Sequence, residues 1–229
     1  MKEQVLAALK RSEYSVARTA AELEAVHRLR YKCYLAEGAI EANDRGLMED
    51  PFDTLENCVN ITIKMDGEMQ AAVRLHVVTK SMPLSPTLSV FPEARSYLDA
   101  GLTILDPTRF VVDPSARQKR VPLHFLGVRV PLLATMFYDT DLCLIPVRPA
   151  HAPFYSRYFH SEMKLPPRPF LGLTTPLQLM ITDVRHEREA ILERTPAFGP
   201  IPDLPMSDVP FPRLRHVAVA SGSDSSDAA

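Results

Sequence analysis

The feature that most limits what this chain can fold into is the order of its second half. A strand-like run at Thr108–Val112 leads to a helical stretch at Pro122–Tyr138, then to a buried-type strand at Leu142–Val147 and a helix at Pro149–Phe159. Strand, helix, strand, helix at this spacing requires a crossover, so the two strands lie parallel in one sheet with helices against its faces. Ahead of this unit, Val59–Met65 alternates apolar and polar residues, Asp66-Gly67 turns the chain, and Gln70–Val77 returns as a β-hairpin. A helix over Ala20–Leu35 precedes the hairpin, with Leu23, Val26, Leu29, Arg30 and Cys33 on one face, and Gly38 stops it. Residues 1–12 read as a short helix or an arm, 39–57 as acidic and irregular, and 80–101 as a long connection with one helical turn around Ala94–Leu98. Leu177–Asp183 reads as a last strand and Val184–Arg194 as a polar helix. The fold class is mixed α/β with a single domain over 1–195; residues 196–229 form a tail, rich first in proline and then in Ser and Asp, partly disordered. Pro122 suits a helix's first turn, and Pro131 inside that helix predicts a kink.

Charge and cysteines exclude several classes. Lys and Arg number 26 against 28 Asp and Glu, which gives no general attraction to nucleic acid or to an anionic membrane. The three cysteines, Cys33, Cys58 and Cys143, form no CxxC pair, so neither a disulfide framework nor a zinc site is implied, and a cytoplasmic setting fits. No apolar run approaches the ~18 residues of a membrane span, and the N-terminus lacks the apolar core of a signal peptide.

Four stretches carry chemistry. RYKCY closes the first helix at 30–34; DPFD stands at 50–53; VRLHVVTKSMPLSPTLSVFPE runs from Val73; and LDPTRFVVD spans 105–113. As an ordered set they resemble the acyl-homoserine-lactone synthases and, more nearly, their relatives the N-acyl amino acid synthases. The resemblance covers roughly residues 20–160. It implies an acetyltransferase-like (GNAT) fold, a mixed central sheet with splayed parallel strands flanked by helices. It also implies transfer of a fatty acyl group to an amine by direct attack on a thioester. Arg30, Asp50, Asp53, Arg74, Asp106 and Arg109 match the family's polar core. The lactone synthases usually carry Glu at the position of Asp106 and a Trp soon after the first helix, and this chain has no Trp. Ordinary acetyltransferases cradle the pyrophosphate of coenzyme A in a glycine-rich loop at a helix start. Here that place reads ARQKRVPLHFLG, with no glycine before Gly127. The basic cluster Arg117, Lys119 and Arg120 suits instead the acidic surface of an acyl carrier protein and the phosphate of its pantetheine arm.

Acyl transfer needs a base for the amine, donors for the oxyanion, an acid for the thiolate, and alignment of both substrates. On the resemblance, backbone N–H groups near Phe110, Val111 and Val112 meet the oxyanion, and Tyr155 is the acid. Arg30 or Arg109 orients the acceptor's carboxylate. Asp106, directly or through water, receives the amine's proton, with His151, one helical turn before Tyr155, as a second candidate base. Asp50 and Asp53 brace the arginines, and His76 faces the same side as Arg74. Met82, Leu84, Leu88, Leu126, Leu133 and Met136 are available to line an acyl tunnel and equally to fill a core. No metal or cofactor is expected; acyl carrier protein, or less well acyl-CoA, is a co-substrate. Two rival functions stand beside this one: a lactone synthase taking S-adenosylmethionine, and a non-catalytic module that holds acyl chains or carrier protein.

Overall fold

The computed structural model describes residues 2–118 and 122–217. In chain order the elements are α1 (Lys2–Leu9), β1 (Ser12–Val16), α2 (Ala20–Ala36), β2 (Cys58–Met65), β3 (Glu68–Val78), α3 (Pro86–Val90), α4 (Arg95–Asp99), β4 (Ile104–Val112), α5 (Pro114–Gln118), α6 (Leu123–Phe137), β5 (Leu142–Val147), α7 (Ala152–Phe159), β6 (Glu162–Arg168), β7 (Leu177–Asp183) and α8 (Val184–Arg194). Among the described residues seven strands make one sheet in the order β1-β2-β3-β4-β5-β7-β6. Its β4–β5 pair is parallel, and the other pairs are antiparallel.

Local chemistry fixes the ends of these elements. Thr19 and Glu22 form a reciprocal capping box that starts α2. In α6 apolar residues point in all directions because the helix is enclosed on all sides, and Pro131 lies within it as expected. Gly127 is required there: a Cβ at that position would lie 2.0 Å from the Phe110 ring.

Two irregularities open the sheet at its centre. β4 pairs with β5 only at Ile104↔Leu142 and Leu105↔Cys143, after which the strands diverge. On its other side β4 carries a bulge: Thr108 faces Arg74 and Val111 faces Ala72, so β4 holds one residue more than β3 over the same span. Arg109 sits in this bulge with φ 54°, a left-handed conformation that a residue with a Cβ adopts at a cost. The fork leads into a cavity of about 1050 Å³ bounded by β4, β5, α6 and α7.

Three expectations need correction. β1 and β6 were not foreseen. Both are edge strands, and β6 carries Pro166 and Pro167, which an edge tolerates and an interior strand does not. The expected strand over 108–112 begins earlier, at Ile104, which places Asp106 inside β4. The boundary at 195 is not one of packing. Phe198 is buried, Arg129 of α6 donates to the carbonyls of Ala197, Gly199 and Ser207, and the Tyr138 hydroxyl donates to Pro212 O at 2.8 Å. A buried guanidinium must find acceptors, and residues 197–207 supply them. Residues 218–229 lie outside the described residues.

Candidate active site

The polar core is assembled before it meets any substrate. In DPFD each aspartate caps the other's turn: Asp50 Oδ1 accepts from Phe52 N at 3.0 Å, and Asp53 Oδ2 accepts from Asp50 N at 3.1 Å. The free sides of both carboxylates then face arginines. Arg74, fully buried on β3, donates to Asp50 Oδ1 at 2.6 Å and Oδ2 at 3.1 Å, and lies 3.0 Å from Asp53. Its Nε donates to Thr108 Oγ1 at 3.1 Å. Arg30, from the inward face of α2, donates to Asp53 at 2.8 Å and to Asn60 Oδ1 at 2.5 Å. The bulge aims Arg109 at Asp50, with a bond of 2.9 Å to Oδ2 and a second of 2.8 Å to Leu171 O. Burial alone would raise both carboxyls, yet the arginines, joined at Asp53 by His27, hold them well below the usual carboxylate range. His76 lies on the same face, its Nε2 2.9 Å from Phe52 O; burial beside Arg74 pushes its pKa down to about 3, so the ring is neutral and Nε2 donates.

The structure thus brings together Arg30, Asp50, Asp53, Arg74 and Arg109, and separates Asp106 from them. Asp106 is fully buried; Thr87 donates to it through its amide at 3.0 Å and its hydroxyl at 2.6 Å, and burial pushes its carboxyl upward. It does not line the cavity. The physical reason is its place along β4: Asp106 shares the face of Arg74 and His76, but both its oxygens are taken up by Thr87. Asp106 stays in register with His76, while Arg109 is turned aside beyond the break. As it stands, Asp106 anchors the start of α3. Asp106→Asn is therefore expected to keep the rate within about tenfold, because the amide oxygen still accepts from Thr87. Asp106→Ala is expected to lose roughly 1–3 kcal/mol in chemical denaturation by stranding buried donors. A dead but folded Asp106→Asn enzyme would return Asp106 to the role of base.

The cavity itself is lined by Arg109, Phe110, Val112, Tyr155 and His151 among the expected residues; Val111 packs instead beneath α2 with Val26 and Ala72. Arg109 and Phe110 have no register partner on β3, and β5 has already diverged from β4 at this level. Arg109 Nη1 is buried and has no hydrogen-bond partner among the described residues. Burial, with Cys143 and Tyr34 close by, pushes the Tyr155 pKa up to about 12, which keeps the phenol protonated. None of the six apolar residues expected for a tunnel lines the cavity; Leu88, Leu126 and Leu133 are core, and the apolar wall comes from Phe125, Val128, Pro131, Leu132, Ile145, Val147 and Phe159. Lys119, Arg120 and the side chain of Arg117 lie outside the described residues.

Sequence reasoning missed Tyr34, whose ring lies under the Arg109 guanidinium, 5.9 Å from centroid to Cζ. Its spacing of one helical turn from Arg30 was the available signal. It also missed Thr87 and Asn60, for which no local pattern exists, and the Glu37–Arg148 pair, 3.5 Å apart on the cavity lining.

A sheet forked at a parallel pair, a bulge at the fork, and a deep apolar cavity behind it define the acetyltransferase-like architecture, and the chain is an N-acyltransferase. Residues 25–183 match the family described as N-acyl amino acid synthase FeeM, and the chain belongs to that family. Among solved structures it is similar to FeeM, an N-acyl amino acid synthase from uncultured soil microbes, at 15% identity and TM-score 0.62, covering 80% of this chain and 96% of that one. BjaI, a CoA-dependent acyl-homoserine lactone synthase, is similar at 16% identity and TM-score 0.58, covering 80% and 88%. MesI, another CoA-dependent acyl-homoserine lactone synthase, is similar at 18% and 0.57, covering 83% and 96%. At these identities the likeness is one of fold. No curated protein matches the chain. No helix among the described residues is long and apolar enough to cross a membrane.

Proposed function

We propose that the chain moves a fatty acyl group from acyl carrier protein to the amine of an amino acid by direct attack on the thioester. The observation that carries this is a charge left over. Arg30, Arg74 and Arg109 stand against Asp50 and Asp53; Arg30 Nε and Arg109 Nη1 are buried without a partner among the described residues, and of these two arginines Arg109 is the one that lines the cavity. A buried, unpaired donor of this kind is costly, and a carboxylate satisfies it. The acceptor's carboxylate binds at Arg109, since Arg30 does not line the cavity.

In the step itself the amine lone pair forms the C–N bond at the thioester carbon. The peptide N–H groups of the bulge meet the oxyanion. Collapse breaks the C–S bond, and Tyr155 gives its proton to the leaving thiolate. Asp106 does not line the cavity and His151 does, so His151, or water beside it, takes the amine's proton. Tyr155→Phe is expected to lower kcat about 10²-fold with the acceptor KM unchanged, read in steady-state kinetics. The preference for carrier protein rests on the missing glycine cradle and the basic cluster at 117–120. The three free thiols agree with a cytoplasmic setting.

The deciding experiment incubates the purified chain with acyl carrier protein or acyl-CoA donors, the twenty amino acids and S-adenosylmethionine, and reads products by mass spectrometry. An N-acyl amino acid made faster from carrier protein is expected. An acyl lactone would replace this reading with the lactone synthase. No product from any donor, with carrier protein still bound, would leave a binding module.

A further inference from the structure

We infer that Thr135, Thr182 and Val184 form the stop that sets acyl chain length, and that the ruler between them and the reacting carbon spans about a dozen carbons. This rests on the acyl-transfer reading above, in which the acyl tail occupies the apolar cavity.

The cavity has an open end and a closed one. His124, Ala150 and His151 on its lining are exposed where α6 and α7 begin, and so are Gln4 of α1 and Glu37 just past α2. At the other end the lining residues Thr135 of α6, Thr182 of β7 and Val184 at the start of α8 are buried, at 0%, 1% and 3% exposure. Register places this end at the apex of the fork. Thr182 pairs with Cys143, and Cys143 pairs with Leu105, the last contact before β4 and β5 diverge. Three β-branched residues from three elements therefore meet where the cavity stops.

Their chemistry suits a methyl terminus. The Thr135 hydroxyl donates to Leu132 O at 2.7 Å within its own helix, and the Thr182 hydroxyl shares a 2.7 Å bond with Ser161. With both hydroxyls engaged, each threonine offers the cavity its methyl, beside the methyls of Val184. A polar or charged chain end would find no partner there, so the substrate class is an unsubstituted acyl chain. β-Branched side chains are also stiff, which makes the stop a sharp one.

The length follows from the strands. The bulge at Phe110 lies five residues past the apex pair at Leu105, and at ~3.3 Å per residue that is about 16 Å. An extended chain advances about 1.2 Å per bond, so about a dozen carbons fill the distance from a thioester at the bulge to the stop.

The test is a donor series from eight to eighteen carbons, with kcat/KM read at each length for the full chain and two variants. Thr135→Ser with Thr182→Ser keeps both hydroxyl bonds and removes only the methyls, so the fold is preserved; its optimum is expected one to two carbons longer than wild type. Val184→Leu is expected to move the optimum shorter by a similar amount. The acceptor KM should stay the same in both, which a general loss of fold would not give. Thermal shift with free fatty acids of the same lengths reads the ruler without turnover and should move in parallel. An optimum unmoved in both variants, or a uniform fall at every length, overturns the stop. A wild-type chain that makes no acylated product yet shows the shifted fatty-acid profile would sink the acyl-transfer reading alone.

Discussion

Arg74→Met is expected to destabilise the protein by about 3–5 kcal/mol, read as a fall in the urea midpoint with the m-value unchanged. Among the described residues Arg74 is the one arginine that touches both aspartates and Thr108. Methionine keeps much of the volume, so the loss is electrostatic rather than a cavity. It takes from Asp50 its bidentate partner and from Asp53 one of its two arginines, leaving Asp50 to Arg109 and Asp53 to Arg30. The penalty belongs to carboxylate oxygens left short of donors in a buried site and not to the net worth of the ion pairs, which in such sites is small. Adding Asp50→Asn and Asp53→Asn to Arg74→Met should deepen the loss, because Arg30 and Arg109 would then be buried with no carboxylate between them. Acid behaviour follows from the same groups. Both carboxyls titrate lower in the folded protein than in the unfolded chain. The stability they lend is complete above the unfolded aspartate value near ~3.9 and drains away as pH falls through their folded values. Wild type should lose stability steeply below about pH 4, and the triple variant should show a shallower acid limb.

The sequence carried the frame of this molecule because its punctuation is strong there. Asp66-Gly67 marks the hairpin, and the apolar run Leu142–Val147 and the helix Val184–Arg194 stand with the boundaries their patterns predict. The five charges of the network were legible as a set, since DPFD, Arg30, Arg74 and Arg109 are recognisable in order. Their separation from Asp106 was not. In a regular strand residues 106 and 109 differ only by alternation, and nothing in LDPTRF announces that Arg109 adopts a positive φ without being glycine. The packing of residues 197–207 was hidden for another reason. The group that binds them is Arg129, some seventy positions earlier, and its partners are carbonyls, which every residue has. The cavity wall is a matter of which face of α6 meets the fork, and a helix apolar all round gives no sign of that.

The bulge unites fold and chemistry. By adding one residue to β4 it breaks the ladder on the β3 side at the level where β5 has already left on the other. The same residue swings Arg109 into the network and leaves its Nη1 without a partner among the described residues. Strain held at this point is sustained by Asp50, Leu171 and the Tyr34 ring.

Arg109→Lys is accordingly expected to affect catalysis as strongly as Tyr155→Phe, and through KM instead of kcat. Lysine keeps the charge, and one ammonium can hold Asp50 or reach the substrate, but it lacks the fork that does both. Acceptor kcat/KM should fall about 10²-fold, carried mainly by KM, because a charge-assisted bond worth roughly 1.5–3 kcal/mol is lost. The control is an acceptor amine without its carboxylate. In wild type, removing the carboxylate should cost about as much as removing the guanidinium. In Arg109→Lys the amine and the amino acid should react at nearly equal rates, so that the double change costs no more than either single one. Full additivity of the two losses would show that Arg109 shapes the site without touching the acceptor, and the surplus charge would then need another partner.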